Sequence, residues 1–316
     1  MTSTDTALLR DRARGCLLGQ FIGDSLGSLV EFNSARQIAQ RYPDGVRDMA
    51  DGGTWDLIAG QPTDDSQMAM MLIRSLQRRG IFDAEDVFTG YVYWYTTGPF
   101  DIGGTCAVAL SGGPINADSQ ANGALMRVSP LGVYGARSDV DLATAVECAR
   151  ADARLTHPHP VCLDANAAFV AALVTGIQGG SPEQMIEAME ATATEAPVLE
   201  AIAAGRSGDV SSYQVHAGWV LLALSIAVRQ LLLVNDPESA LIEAVGMGGD
   251  TDTNAAIAGA LLGAAHGAKA WPSRWVDTVL ECRPEEGAPG VRHPLGREFW
   301  ATELLAQADE LAGVAD

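Results

Sequence analysis

Two short runs of oxygen donors stand out in the chain: Pro62-Thr63-Asp64-Asp65-Ser66 and Gly248-Gly249-Asp250-Thr251-Asp252-Thr253. Each stands just before a segment of helical periodicity, 67–79 and 254–268, and so marks the start of an expected helix. At a helix start Thr, Asp and Ser accept hydrogen bonds from free amide groups, and negative charge suits the macrodipole. One cluster alone reads as a cap. Two clusters carry more carboxylate than caps need, and adjacent carboxylates repel unless a cation screens them. Four carboxylates with two Thr hydroxyls, and no His or Cys beside them, form a hard oxygen set suited to Mg²⁺ or Mn²⁺, less well to Ca²⁺, and large enough for two ions. For this the clusters must meet in space, although 185 residues separate Asp65 from Asp250.

The elements that must bring them together read as helices almost throughout. Helical periodicity covers 6–26, 67–79, 84–96, 140–155, 163–177, 182–192, 218–233, 254–268 and 297–311. Strand alternation is scarce, and the Gly- and Pro-rich joints are too short for domain linkers. The expectation is one all-α domain over 1–316, ordered over about 6–312. Gly15, Gly19, Gly23 and Gly27 recur every four residues, as do Gly259, Gly263 and Gly267. Glycine inside a helix costs about 1 kcal/mol against Ala, so two such stripes predict a central helix pair whose backbones touch.

Composition narrows the function. Of 316 residues 47% are hydrophobic and 19% charged, with 34 glycines, a balance that excludes disorder. Forty acidic against twenty basic side chains give a formal charge of -20, which excludes phosphate backbones and anionic membranes as partners. Lys269 is the lone lysine, leaving little scope for Schiff-base chemistry or a lysine-centred phosphate loop. Five scattered cysteines, none in C-x-x-C spacing, indicate neither a disulfide framework nor a zinc site. Residues 1–13 carry no apolar signal segment, and the apolar stretch 217–234 is interrupted by Arg229 and Gln230, so a cytoplasmic protein with a buried core helix is expected.

Five motifs in order resemble the ADP-ribosylglycohydrolases over nearly the whole chain. They are Gly23-Asp24-Ser25-Leu26-Gly27 with Glu31, Thr63-Asp64-Asp65, Asn122-Gly123-Ala124-Leu125-Met126-Arg127, Thr156-His157-Pro158, and Gly249-Asp250-Thr251-Asp252-Thr253. The resemblance is to the dinitrogenase-reductase-activating or ADP-ribosylarginine hydrolase type. It implies a compact all-α fold and a binuclear Mg²⁺ or Mn²⁺ centre that binds ADP-ribose. Thr63, Asp64, Asp65, Asp250, Asp252 and Thr253 would be the metal ligands, with Asp65 also counted among the catalytic groups. Glu31 would activate water or gate the site, and Asp101, in Phe100-Asp101-Ile102-Gly103, would be the second acid/base. Asn122, Gly123 and His157 would line the ribose and phosphate pocket. Gly104 stands where the arginine-directed branch commonly carries a polar side chain.

The implied partner is an ADP-ribosylated protein, the bond broken is N-glycosidic to arginine, and a monomer is the simplest state. Pyrophosphate donors are expected from the backbone at Gly103-Gly104 and Gly112-Gly113, and an adenine wall from Trp94, Tyr95, Tyr213 or Trp219. Three alternatives stand beside this reading. The chain is a hydrolase of serine-type O-linked or other ADP-ribose conjugates, a non-enzymatic ADP-ribose-binding protein, or a serine hydrolase. The last rests on Gly23-Asp24-Ser25-Leu26-Gly27, which fits G-x-S-x-G with Ser25 as nucleophile, against a helical rather than strand context. Local structural roles compete as well: Asp101 as a helix cap, His157 as a helix terminator, Asn122 as a turn residue.

Overall fold

A computed structural model describes residues 3–210 and 216–315. These form fifteen α-helices: α1 (Ser3–Gly27), α2 (Ala35–Arg41), α3 (Asp64–Arg79), α4 (Ala84–Thr96), α5 (Gly104–Leu110), α6 (Ser129–Gly135), α7 (Leu142–Arg154), α8 (Pro160–Ile177), α9 (Pro182–Thr192), α10 (Ala196–Ser207), α11 (Val220–Leu233), α12 (Pro237–Gly246), α13 (Thr251–His266), α14 (Ser273–Glu281) and α15 (Leu304–Leu311). Among the described residues the only β pairing is three isolated bridges.

The glycine stripes set the centre. A Cβ on Gly19 would lie 2.0 Å from the carbonyl oxygen of Gly259, and one on Gly263 would lie 1.9 Å from that of Gly15. Gly23 faces Ala255, and Gly27 faces Thr251 and Asp252 in the same way. The pair α1/α13 therefore runs antiparallel with its backbones in contact, and the C-terminal end of α1 lies against the N-terminal end of α13. That register carries Asp24 to Asp252. Gly259→Ala is expected to destabilise the protein by about 3 kcal/mol or more, since both sides of the clash are backbone; a wild-type urea midpoint for this variant would contradict the contact.

Around this pair one apolar cluster runs from Leu9 to Val314 and draws on nearly every helix. Helix α8 is long and apolar enough to cross a membrane by length and composition, yet 83% of it is buried inside the protein. Its start, three residues before the expected 163, is explained by His159 as N-cap and Pro160 at the first helical position. The expected helix 297–311 is two single 3-10 turns, Arg297–Phe299 and Ala301–Glu303, before α15 begins, because Trp300 between them is extended. Ser25 lies inside α1 with helix rather than strand before it, and its hydroxyl donates to the Gln61 carbonyl at 3.3 Å. The nucleophile elbow is therefore not built.

Candidate functional site

The two acidic clusters meet. Helix α3 starts at Asp64, three residues earlier than expected, so Asp64 and Asp65 occupy its first turn and not the segment before it. Their carboxylates do not cap that turn. Asp24 caps it from α1: its carboxylate accepts from the Thr63 amide at 3.0 Å, the Thr63 hydroxyl at 2.8 Å and the Ser66 amide at 3.1 Å. At the other cluster Asp250 is the N-cap residue of α13 but makes no side-chain capping bond. The local capping roles thus fail at both helices, and the acidic side chains are free to face one another.

The Thr253 hydroxyl donates to Asp65 Oδ2 at 3.4 Å across 188 residues, and the Thr63 hydroxyl, whose single proton Asp24 and Asp65 share, lies 3.0 Å from the same oxygen. Asp65 Oδ1 is buried with no hydrogen-bond partner among the described residues. Carboxylate oxygens of Asp24, Asp65 and Asp252 lie within 4.8 Å of one another, as do those of Glu31, Asp101 and Asp252. Above them opens a cavity of about 260 Å³ lined by Glu31, Phe32, Asp64, Asp101 to Cys106, Ala121 to Gly123, Met126, His157, Ala217, Gly218, Asp250, Asp252 and Thr253.

A second strut fixes the loop that carries Glu31. The Phe32 amide donates to the Gly249 carbonyl at 2.8 Å, the Gly249 amide donates to the Asn33 carbonyl at 2.9 Å, and the Thr251 hydroxyl donates to the Gly27 carbonyl at 2.7 Å. Gly248 and Gly249 both have φ near +80°, and a Cβ on Gly248 would lie 2.5 Å from the Ala35 amide nitrogen, so this close approach requires glycine. Trp55 donates its indole N–H to Glu31 Oε2 at 2.5 Å.

No Lys or Arg lines the cavity. Arg127 of the third motif points away into the core. It pairs with Asp152 at 3.1 Å, stacks on Tyr91 and holds the Gly123 carbonyl, which makes it a strut for the Asn122 loop. With no Lys or Arg nearby, burial raises every acidic pKa in the site, and repulsion between neighbours adds to it at Glu31, Asp64, Asp65, Asp101 and Asp252. Asp64, Asp65 and Asp252 stand well above the usual range, chiefly through burial and then through one another and neighbouring carboxylates. Burial, then Asp101, lifts Glu31 to about 8; burial, then Asp250, lifts Asp101 to about 7; burial alone lifts Asp24 to about 6. Seven carboxylates, an orphaned buried oxygen and two Thr hydroxyls with no basic partner fit hard divalent cations by the chemistry of the donors.

The remaining expected residues fall as follows. Asp101 reaches the cavity and does not cap α5, whose N-cap Gly103 makes no side-chain bond. Asn122 donates to Asp250 Oδ2 at 2.7 Å. Asn122→Ala is expected to lower activity about 10- to 100-fold by releasing Asp250, with Asn122→Asp no rescue. His157 is buried beside Gly123, its Nδ1 within 2.8 Å of the Thr156 hydroxyl and its Nε2 without a partner among the described residues; burial, then Arg127, lowers its pKa to about 3, so it stays neutral. Gly103 and Gly104 line the cavity, and a Cβ on either would touch nothing within 4 Å.

Some expectations are not met. Trp94 is fully buried core, donating to Gln67, and neither Tyr95 nor Trp219 lines the cavity. Tyr213 lies outside the described residues. Gly112 and Gly113 are also absent from the cavity wall. Asp24, Phe32 and Trp55 belong to the site and carried no assigned role in the sequence; Asp24 stood in a quoted motif, whereas Trp55 had no periodic or spacing signal.

Comparison with known proteins agrees with this geometry. A family model described as ADP-ribosylglycohydrolase matches residues 5–314. The chain belongs to the ADP-ribosylglycohydrolase family. Within that family it is 33% identical over 281 residues to the ADP-ribosyl-(dinitrogen reductase) glycohydrolase of Rhodospirillum rubrum, covering 86% of this chain and 91% of that protein. It is 29% identical to the ADP-ribosylarginine hydrolase Tri1 of Pseudomonas putida (strain GB-1), covering 85% and 74%. A solved structure described as an ADP-ribosylglycohydrolase-related protein complex superposes with a TM-score of 0.76 at 26% identity, covering 98% of this chain and all of that one. These names, with the acidic cavity, make the chain a glycosidase of the ADP-ribosylglycohydrolase family.

Proposed function

We propose that the chain hydrolyses the N-glycosidic bond between ADP-ribose and an arginine side chain of a modified protein, with two Mg²⁺ or Mn²⁺ ions as cofactors. The observation that carries this reading is the cavity wall: five carboxylates and no Lys or Arg face the space a substrate would enter, and the His157 beside them is neutral. Such a wall favours a cationic leaving group over a neutral one. Relatives named for arginine and dinitrogen reductase conjugates support the same choice.

Thr63, Asp64, Asp65, Asp250, Asp252 and Thr253 would hold the cations, which when bound supply Lewis-acid polarisation and a lowered water pKa. Asp24 has both oxygens engaged by α3 and orients that helix start. Asn122 fixes Asp250. Glu31 and Asp101 face the open space, and one of them takes the proton of the attacking water. That water bonds to the anomeric carbon as the C–N bond breaks with its electron pair going to nitrogen, and the proton taken from the water passes to that nitrogen, so that the arginine leaves as guanidinium. Positive charge developing on the sugar in the transition state meets the same carboxylates.

The test is purified protein with Mg²⁺ or Mn²⁺, offered arginine-linked and serine-linked ADP-ribosyl peptides side by side. ADP-ribose should be released from the arginine conjugate, and EDTA, Asp64→Ala or Asp250→Ala should abolish the release. Preference for the serine conjugate would reassign the acceptor. Tight ADP-ribose binding without turnover of either would make the chain a binding protein.

A further inference from the structure

The rim of the cavity holds an aromatic feature that the chemistry above leaves unused. Phe32 is 65% exposed, the most exposed large apolar side chain among the described residues, and it lines the cavity beside Glu31. Its φ of +63° is left-handed, a conformation that costs a bulky residue free energy and persists only where the surroundings impose it. The bond from its amide to the Gly249 carbonyl imposes it here. The effect on the chain is to turn Glu31 inward while holding the next ring at the mouth. Trp55, whose indole N–H is tied to Glu31, packs against Phe32 at 6.3 Å and 71°, and Phe100, next to Asp101, packs against Trp55 at 5.9 Å. Gly103 and Gly104 leave part of the same cavity wall without side chains.

We infer that Phe32, backed by Trp55, is the acceptor-specificity residue, receiving the planar guanidinium of the arginine leaving group over its ring while Glu31 and Asp101 supply the countercharge. The inference rests on the arginine reading above and deepens it. A flat cation gains from a ring face and from nearby carboxylates together, whereas a serine acceptor gains from neither. A ring held in a strained conformation at a wet mouth has a reason to stay there if a ligand covers it.

Phe32→Ala is expected to raise KM for an arginine-linked ADP-ribosyl peptide about 3- to 30-fold, leave kcat within about twofold, and leave KM for a serine-linked peptide unchanged. Phe32→Tyr should restore the arginine KM. Saturation-transfer NMR of agmatine with the Mg²⁺-loaded protein gives a readout independent of turnover: its signal should fall in Phe32→Ala and return in Phe32→Tyr. Phe32→Gly relieves the backbone, so it should fold at least as well as the wild type and still lose the arginine preference. Equal losses on both conjugates, with weaker inhibition by ADP-ribose, would assign Phe32 to adenine stacking and overturn the inference. So would an unchanged KM ratio or unchanged agmatine signal. Failure of the wild type to cleave the arginine conjugate while agmatine binding still depends on Phe32 would sink the arginine reading alone.

Discussion

Asp65→Asn is expected to raise the melting temperature of the EDTA-treated protein while lowering turnover roughly a thousandfold, a loss of about 4 kcal/mol of transition-state stabilisation. Asp65 is fully buried, one oxygen has no partner, and its neighbours are carboxylates. The amide keeps an acceptor for Thr63 and Thr253 on the Oδ2 side and places a donor at the orphaned Oδ1 position, in a site shared with Asp24 and Asp252. It also removes a carboxyl that burial and its neighbours force to stay protonated in the metal-free fold while the unfolded chain ionises it freely, and relief of that cost raises the melting temperature by roughly 2–4 °C per kcal/mol for a protein of this size. The same exchange removes a cation ligand and hence activity. Thermal melts in EDTA and in Mg²⁺ separate the two effects: the variant should melt higher than wild type in EDTA and gain less from Mg²⁺. A lower melting point in EDTA would mean that Asp65 serves the fold as an acceptor more than it strains it.

The opposition between stability and chemistry at Asp65 also explains what was legible in the sequence. Asp64, Asp65, Asp250 and Asp252 stood out because their carboxylate content exceeds what two helix starts require, and the glycine stripes indicated how the starts could meet. What the pattern could not show was which residue does the capping. The N-cap role at α3 passes to Asp24, 39 residues upstream of Thr63, and a contact at that distance has no periodicity to announce it. Helices α2, α5 and α6 went unread because seven residues complete barely two turns, too few to establish an apolar face, although Ser34 and Gln37 form a capping box that marks the start of α2. Helix α12 likewise begins with Asp236 capping at Pro237, a start signal that was present in the residues. Trp94 misled because an aromatic at helical spacing looks the same whether it faces a ligand or the core; its indole N–H satisfied by Gln67 decides for the core. Trp55 and Phe32 were invisible for the opposite reason: they sit in irregular backbone, where the left-handed φ of Phe32 has no sequence signature in a residue that disfavours it.

The metal-free protein is expected to lose stability as pH rises from about 5 to 8, and Mg²⁺ or Mn²⁺ to restore it most at the upper end. Glu31, Asp101 and Asp24 titrate at about 8, 7 and 6 in the folded chain, against ordinary values near 4 in the unfolded one. Between those limits the native state holds protons that the unfolded chain has released, so unfolding sheds protons and stability must fall with rising pH. Below about pH 4 both states are protonated and these groups contribute no slope; above about pH 8 their charges are fully opposed and the loss is complete. Glu31 is almost wholly buried, and its displacement alone corresponds to a loss on the order of 4 kcal/mol. Divalent cations bind the deprotonated form and expel the protons, so their stabilisation, RT ln(1 + [L]/Kd), grows as Kd falls with pH. Melting curves in EDTA at pH 5.5, 6.5, 7.5 and 8.5 should descend, those in millimolar Mg²⁺ should descend much less, and the gap between them should widen. A metal-free melting temperature that stays level across this range would mean that the carboxylates are not packed against one another without basic partners, and a gap independent of pH would mean that the cation binds elsewhere.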